Sequence, residues 1–383
     1  MKIYPTQEQE QQLLRTAGAC RWVYNHYLEA KQRAYLEEHK NITLKTMSAD
    51  LTQLRKATDW LSEVQLVPLQ QSLRQLDVAY NSFFRGQTGF PNFKSRYSKQ
   101  SFRKTRGWSV RGSRLTVTPG LNIRFKGAFP VIHEGTLTIS RTPSGQWFAS
   151  AQGFEERRQP ALSGAIGLDM GLKHLVVTSG GEKVDNPRFL DGLSEQIKSA
   201  QKALSRKQKG SNRRAKAKLV LARLHNKVDN KRTNYLHHVS KAIVGKNHAT
   251  IVVEDLAVRN MMRNHKLARS IGDASWSELL RMVTYKQEWA GGEVVKIGRF
   301  YPSSKTCSNC YYIMSTMPLS VRSWECPRCH SVHDRDINAA KVILQQAGNR
   351  LGVEAGDGRK TVRRSPRVTR PMKRGDSLIS QVS

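Results

Sequence analysis

The chain of 383 residues carries 64 lysines and arginines against 30 aspartates and glutamates, a formal net charge of +34. That length supports two or three domains and a sizeable core, and that charge selects a polyanion as partner, nucleic acid ahead of a membrane surface. No apolar run approaches the ~18 residues that span a bilayer, and Met1-Lys2-Ile3-Tyr4-Pro5 lacks a signal peptide's apolar stretch, so a cytoplasmic, nucleoid-associated protein with no membrane partner is expected.

Thr6 reads as the N-cap of a first helix in which Leu13, Leu14, Ala17, Val23, Tyr24 and Tyr27 recur at helical spacing. Cys20 falls among them as a small buried hydrophobe. A second helix is expected from about Val64 to Phe84, with Leu66, Leu69, Leu73, Leu76, Ala79, Tyr80 and Phe83 on its apolar stripe. After Gly89-Phe90-Pro91 the period changes to two, and Arg114–Thr118, Leu121–Phe125, Gly135–Ser140 and Gln146–Ser150 read as short strands of an antiparallel barrel with a helical insertion. Between Lys94 and Arg114 cations alternate with Phe93, Tyr97, Phe102 and Trp108, the mixture that grips nucleic-acid strands. Arg96, Arg103, Lys104, Arg106 and Trp108 are its candidate contacts. The alternative has the aromatics plugging the barrel and the charges merely solvated.

Ala165-Ile166-Gly167-Leu168-Asp169 is an apolar strand carrying one carboxylate, followed by a turn and a second strand, His174–Thr178. An acid in a strand core is costly unless a cation meets it; the alternative is an Asp that caps a turn. From Leu193 to about Val244 a basic helical region follows, broken at Gly210-Ser211 into a hairpin, with Arg213 and Arg214 among its candidate phosphate contacts. A solvated coiled coil would carry both signs of charge, and here Asp229 is nearly alone. Thr250–Leu256 gives a buried strand with an acid pair, Glu254-Asp255; a helix follows through Trp289, and Glu293–Ile297 is the next strand. Asp169 and Glu254 thus fall on strands of one α/β sheet.

Of five cysteines, four stand in two CxxC pairs, Cys307-x2-Cys310 and Cys326-x2-Cys329, about 15 residues apart. That spacing is a zinc ribbon's, four thiolates around one ion, and an iron–sulfur cluster finds no support nearby. Tyr311 and His330 stand where knuckles often carry glycine, and His330 or His333 is an alternative ligand. Asp336 then opens a helix to Gln346, with Asn338 on its first turn. Three carboxylates in these settings suit two magnesium ions and phosphodiester hydrolysis.

Gly167-Leu168-Asp169-Met170-Gly171, Glu254-Asp255-Leu256, the ribbon cysteines and His333-Asp334-Arg335-Asp336-x-Asn338-Ala339-Ala340 resemble the TnpB (OrfB) proteins of bacterial insertion sequences, relatives of the type V CRISPR effectors. Tyr4-Pro5-Thr6, Arg21–Asn25 and Gly89-Phe90-Pro91 extend the resemblance over nearly the whole chain. It implies a RuvC/RNase H-like nuclease domain with an inserted zinc ribbon, preceded by a β-barrel with a helical insertion. It implies also an RNA-guided endonuclease that cuts double-stranded DNA beside a short target-adjacent motif. Asp169, Glu254 and Asp336 would be the catalytic, magnesium-binding acids, Cys307, Cys310, Cys326 and Cys329 the zinc ligands, and Arg335 a further nucleic-acid contact. The partners would be a guide RNA from the element's own end and double- and single-stranded DNA, in a monomeric ribonucleoprotein.

The expected boundaries are an N-terminal recognition region over 1–158, the nuclease domain over 159–351 with the ribbon at 303–333, and a disordered basic tail over 352–383. Because relatives carry a further strand upstream of Tyr4-Pro5, the barrel is expected to lack an edge. Two other functions fit the same residues: a DNA transposase acting on its element's ends without RNA, and a non-catalytic zinc-ribbon regulator that only binds nucleic acid.

Overall fold

A computed structural model describes residues 1–97, 99–127, 135–151, 159–299, 301–318 and 320–351. The expected basic tail lies outside the described residues. Two compact units share the chain: one takes Met1–Ala161, Pro187–Lys246 and His265–Ala290, the other Leu162–Asn186, Asn247–Asn264 and Gly291 onward.

The first unit opens with strand β1 (Lys2–Tyr4) and the long helix α1 (Gln7–Glu38). Thr6 caps α1 through its side chain, which accepts from the Gln9 amide while the Gln9 side chain answers the Thr6 amide, a reciprocal box that satisfies two otherwise orphaned donors. Helices α2 (Leu44–Ala57), α3 (Asp59–Ser62) and α4 (Leu66–Phe84) follow. Leu13, Val23, Leu28, Leu51, Leu69, Leu73 and Leu76 are wholly buried in the core these helices share with the strands. Cys20 lies in that core, and burial pushes its thiol up to about 12; it is packing, as its helical spacing predicts.

Strands β2 (Gln100–Lys104), β3 (Ser109–Arg111), β4 (Arg114–Thr118), β5 (Leu121–Phe125), β6 (Leu137–Arg141) and β7 (Trp147–Ala151) complete the unit's sheet. It is antiparallel, in the order β2-β6-β7-β1-β5-β4-β3. The expected barrel is therefore a half-barrel, since no pairing joins β2 to β3 among the described residues. The sheet is thus open at β2 and β3, and β1 lies inside it. Ile3 is buried in the middle of the sheet, opposite Phe125 on one side and Trp147 on the other, and the Met1 amino group donates to the Ala149 carbonyl at 2.7 Å. Three residues were too few for a period-two signal to register.

The chain then builds the second unit's strands β8 (Ala165–Asp169), β9 (His174–Thr178) and β10 (Lys183–Asp185). It goes back to the first unit for α5 (Ser194–Ser205) and α6 (Asn212–Val244). These form the expected hairpin: Ser211 caps α6, and the Arg214 guanidinium donates to the Leu204 and Lys207 carbonyls across the turn. The second unit continues with β11 (Thr250–Glu254) and the single turn α7 (Val258–Met261), the first with α8 (Ala268–Ala274) and α9 (Trp276–Trp289). Arg232 on α6 meets the buried Asp273 of α8 at 2.7 Å, and Asp273 also accepts from the Leu190 amide.

Strand β12 (Glu293–Ile297), the hairpin of β13 (Ser323–Glu325) and β14 (Val332–Asp334), and helix α10 (Arg335–Leu351) finish the second unit. Its main sheet runs β10-β9-β8-β11-β12, antiparallel through β8 and parallel from β8 to β12. The central strands read as unbroken apolar runs because both faces are covered; Val252, Ile297, Ile343 and Ala347 form a core between sheet and α10.

Candidate active site

Strands β8 and β11 are parallel neighbours with Leu168 opposite Val253. One residue further, each strand ends in an acid, so Asp169 and Glu254 emerge side by side at the carboxyl end of the sheet, where α/β folds place their sites. Helix α10 brings the third. Gly167 makes this possible: a Cβ there would stand 2.1 Å from the Ala340 carbonyl oxygen and 2.9 Å from the Leu344 amide. Only a glycine lets α10 lie this close to β8, and the close approach delivers Asp336 to the acid pair.

The electrostatics follow from burial. Desolvation, then the neighbouring Glu254 and Asp336, push the Asp169 carboxyl up to about 7, against a smaller opposing pull from Arg335. Burial also raises Glu254, opposed by the hydrogen bond it accepts from the Ser303 hydroxyl. Asp169, pressed by both other acids, marks a negative cluster that a divalent cation would relieve, and hard carboxylate oxygens are the donors such a cation takes.

The acids neighbouring Glu254 and Asp336 in sequence are drawn elsewhere by their surroundings. Asp255, next to Glu254, is taken by Arg299 at 2.5 Å and Lys296 at 3.6 Å, and the Arg299 hydrogen bond is the main cause of its lowered pKa. Asp334, two residues before Asp336, caps α10: its Oδ1 accepts from the Asp336 and Ile337 amides, each at 3.1 Å, while Oδ2 meets Lys183 at 2.6 Å. The helix start expected of Asp336 therefore belongs to Asp334, and Asp336 is free to face the other acids, with Arg322 at 3.7 Å.

The four ribbon thiols converge, all sulfurs within 4.8 Å of one another, with Cys307 to Cys329 at 3.7 Å and Cys310 to Cys326 at 3.5 Å. They are free thiols. Four buried or half-buried thiols at this spacing fit one tetrahedrally held soft or borderline ion. Each knuckle closes identically: the Tyr311 amide donates to the Cys307 carbonyl and the His330 amide to the Cys326 carbonyl. Tyr311 and His330 accept the left-handed backbone that glycine would take freely, at φ 61° and 57°. His330 faces Glu325 at 3.0 Å, and His333 Nε2 lies 3.1 Å from Cys307 Sγ.

Two residues the sequence left without a role tie these sites together. Asn338, buried on the first turn of α10, donates to the Thr306 carbonyl at 2.7 Å and accepts from the Ser308 amide at 2.9 Å. Ser303 reaches Glu254 from the turn before the ribbon. Asn338 was visible as a polar residue among apolar helix neighbours; Ser303 gave no signal.

The candidate nucleic-acid contacts divide. Arg96, Arg103, Arg106 and Arg213 are exposed. Arg96 lies over the exposed Tyr97 ring, and Lys218 over the same ring at 5.6 Å. Arg214 is half-buried and braces the hairpin, and Arg335 is half-buried beside the acids. Lys104 requires correction: alternate residues of β2 point inward, so Phe102 and Lys104 are both buried. The Lys104 ammonium donates to Gln65 Oε1 at 2.6 Å and the Val117 carbonyl at 2.5 Å, and burial draws its pKa down to about 8. Trp108 packs against the core and donates to the Gly135 carbonyl. The interleaved stretch thus serves both readings, Phe93 and Tyr97 outside, Phe102 and Trp108 inside.

Comparison with known proteins adds the family. A family model described as "Probable transposase" matches residues 151–265, a "Cas12f1-like, TNB domain" model matches 276–343, and a "Helix-turn-helix domain" model matches 1–40, here one strand and one long helix. The chain is 41% identical over 378 residues to a Streptomyces pristinaespiralis protein named "Putative RNA-guided DNA endonuclease", covering 96% of this chain and 93% of the relative. It is 33% identical over 365 residues to "Putative RNA-guided DNA endonuclease InsQ" of Escherichia coli K12, covering 90% of each. A solved structure entitled "Cryo-EM structure of the Cas12f1-sgRNA-target DNA complex" shares the fold at TM-score 0.57 and 13% identity, over 88% of this chain and 83% of that one. With a relative 41% identical along almost its full length, the chain belongs to the OrfB (TnpB) family of insertion-sequence proteins.

Proposed function

We propose that this protein is a transposon-encoded, RNA-guided endonuclease that cuts double-stranded DNA through a RuvC/RNase H-like site formed by Asp169, Glu254 and Asp336. The observation that carries the reading is the meeting of these acids at the end of β8, the end of β11 and the start of α10, with Asp169 raised to about 7 by burial and by the other two. The relatives named as RNA-guided endonucleases span nearly the whole chain and support the same activity.

Two magnesium ions bound by the carboxylates would activate the attacking water and stabilise the leaving 3′-oxygen. The residues do the rest. Asp169 and Asp336, near enough for Asp336 to raise Asp169, would supply the anionic donors, Glu254 keeps one oxygen on Ser303, and Arg335 beside Asp169 suits the scissile strand's phosphate. The four thiols would hold zinc as a structural ion, since all four positions of a tetrahedron are taken by protein and none is open for substrate. Exposed cations of the first unit, Arg96, Arg103, Arg106 and Arg213, would grip the guide RNA and DNA backbones, while base pairing reads the target.

The purified protein should carry an RNA, and the ribonucleoprotein should cut a matching plasmid in magnesium. Replacing Asp169 or Asp336 by Asn should slow cutting by more than ~100-fold, beyond the loss typical of residues that only support a ligand, with RNA retention unchanged. An RNA-free preparation that joins the element's ends would instead identify a transposase, and wild-type cutting by both variants would remove the assigned acids.

A further inference from the structure

Glu254 stands at the end of a parallel strand, mostly buried, with no basic side chain beside it among the described residues. Among the described residues its one hydrogen-bond partner is the hydroxyl of Ser303, which donates to Oε1. Ser303 is itself buried, 4% exposed, and stands in a short turn, Ser303–Lys305, that leads into the first ribbon cysteine. That turn is closed locally: the Ser303 amide donates to the Tyr301 carbonyl at 2.8 Å, the Lys305 amide to Pro302 at 2.9 Å, and the Thr306 hydroxyl to the same Pro302 carbonyl at 2.9 Å. Two residues later α10 takes hold of the chain. Asn338 bonds the Thr306 carbonyl and the Ser308 amide, and Gln345 donates to the Ser308 carbonyl at 2.8 Å.

Ser303 and Asn338 are therefore the two ends of one strap. One end holds Glu254; the other is fixed to the helix that carries Asp336 two residues earlier. A free glutamate side chain loses rotamer freedom on being fixed, and an acid in apolar surroundings tends to take up a proton or turn away. A hydroxyl that donates to Oε1 opposes both and leaves Oε2 without a partner among the described residues.

We propose that Ser303 is the positioning residue of Glu254: it presents the carboxylate for divalent-ion binding and sets its place relative to Asp336 through the strap that Asn338 anchors. This rests on the reading of Glu254 as a metal-binding acid. The ribbon's first knuckle then has a second duty besides folding, as the fixed point from which a catalytic acid is held. Groups that support a metal ligand in this way usually contribute ~10- to 100-fold to metal affinity.

The test uses the full-length ribonucleoprotein with Fe2+ and ascorbate in place of magnesium, reading radical cleavage of the polypeptide beside the acids as Fe2+ is titrated. Wild type should be cut there half-maximally at a defined concentration, and Glu254→Gln should not be cut; equal cutting of Glu254→Gln overturns the active-site reading itself. Given that control, Ser303→Thr should titrate as wild type, and Ser303→Val, which has threonine's size without the hydroxyl, should need ~10- to 100-fold more Fe2+. Rates of DNA cleavage should follow, with Ser303→Val recovering at high magnesium and not at low. Should Ser303→Val lose its ribbon metal, Ser303→Ala replaces it, being smaller and free of clash. Titration of the valine or alanine variant at the wild-type concentration, with ribbon metal intact, overturns the role of Ser303.

Discussion

Asp169 lies where burial, Glu254 and Asp336 all oppose its charge, and the resulting value of about 7 makes a prediction for the metal-free protein. An unfolded aspartate titrates near ~3.9, so the folded value is raised and the folded state holds the proton more firmly. The stability this contributes is fully present below about pH 4 and is lost as pH rises through 7. Between pH 6 and pH 8 the metal-free protein should lose about 1 kcal/mol on this account, seen as a lower melting temperature in calorimetry. Magnesium should raise the melting temperature more at pH 8 than at pH 6, and Asp169→Asn should flatten both trends; an unchanged pH dependence in that variant contradicts the assignment. At this scale the sequence singled out Asp169 and Glu254, which the fold brings side by side, because a carboxylate in an apolar strand is conspicuous. It was insufficient for Lys104, whose inward direction depends on the register of β2 against β6, and for Ser303, whose meaning depends on a fold-level approach to Glu254.

Among the elements, the contact of β8 with α10 carries the site. Gly167→Ala would drive a Cβ into the Ala340 carbonyl, and backbone on both sides leaves no flexible end to yield. We expect a loss of ~1–3 kcal/mol or more in chemical denaturation, together with loss of cleavage, because α10 must move and Asp336 moves with it. A Gly167→Ala protein of wild-type stability and activity would show that the helix lies further away. The ribbon makes a separate prediction. Cys326→Ser should lower the bound metal from one ion to none and remove hydrogen-exchange protection from β13 and β14, while the seven-stranded sheet of the first unit keeps its own. Helices and ribbon were legible because period 3.6 and CxxC spacing are local signals. The short strands β1, β2 and β3 were not, since three to five residues in a basic stretch carry too little periodicity, and helix α2 was passed over because only Met47 and Leu51 of it are buried.

At the scale of the whole molecule, a net charge of +34 suits a polyanionic partner, and two compact units alternate along the chain. Linear boundaries could not anticipate that α5, α6, α8 and α9 share a compact unit with the half-barrel, because compactness is set by contacts far apart in sequence. What the whole molecule must do, on the proposed function, is cut where its RNA directs. The most direct test replaces the guide portion of the co-purified RNA with a new sequence and maps the cuts made in magnesium on plasmids carrying the old or the new target beside the same adjacent motif. The account predicts that cleavage moves with the guide and vanishes in Asp169→Asn; cleavage that stays at one DNA site whatever the guide, or survives without RNA, would contradict it.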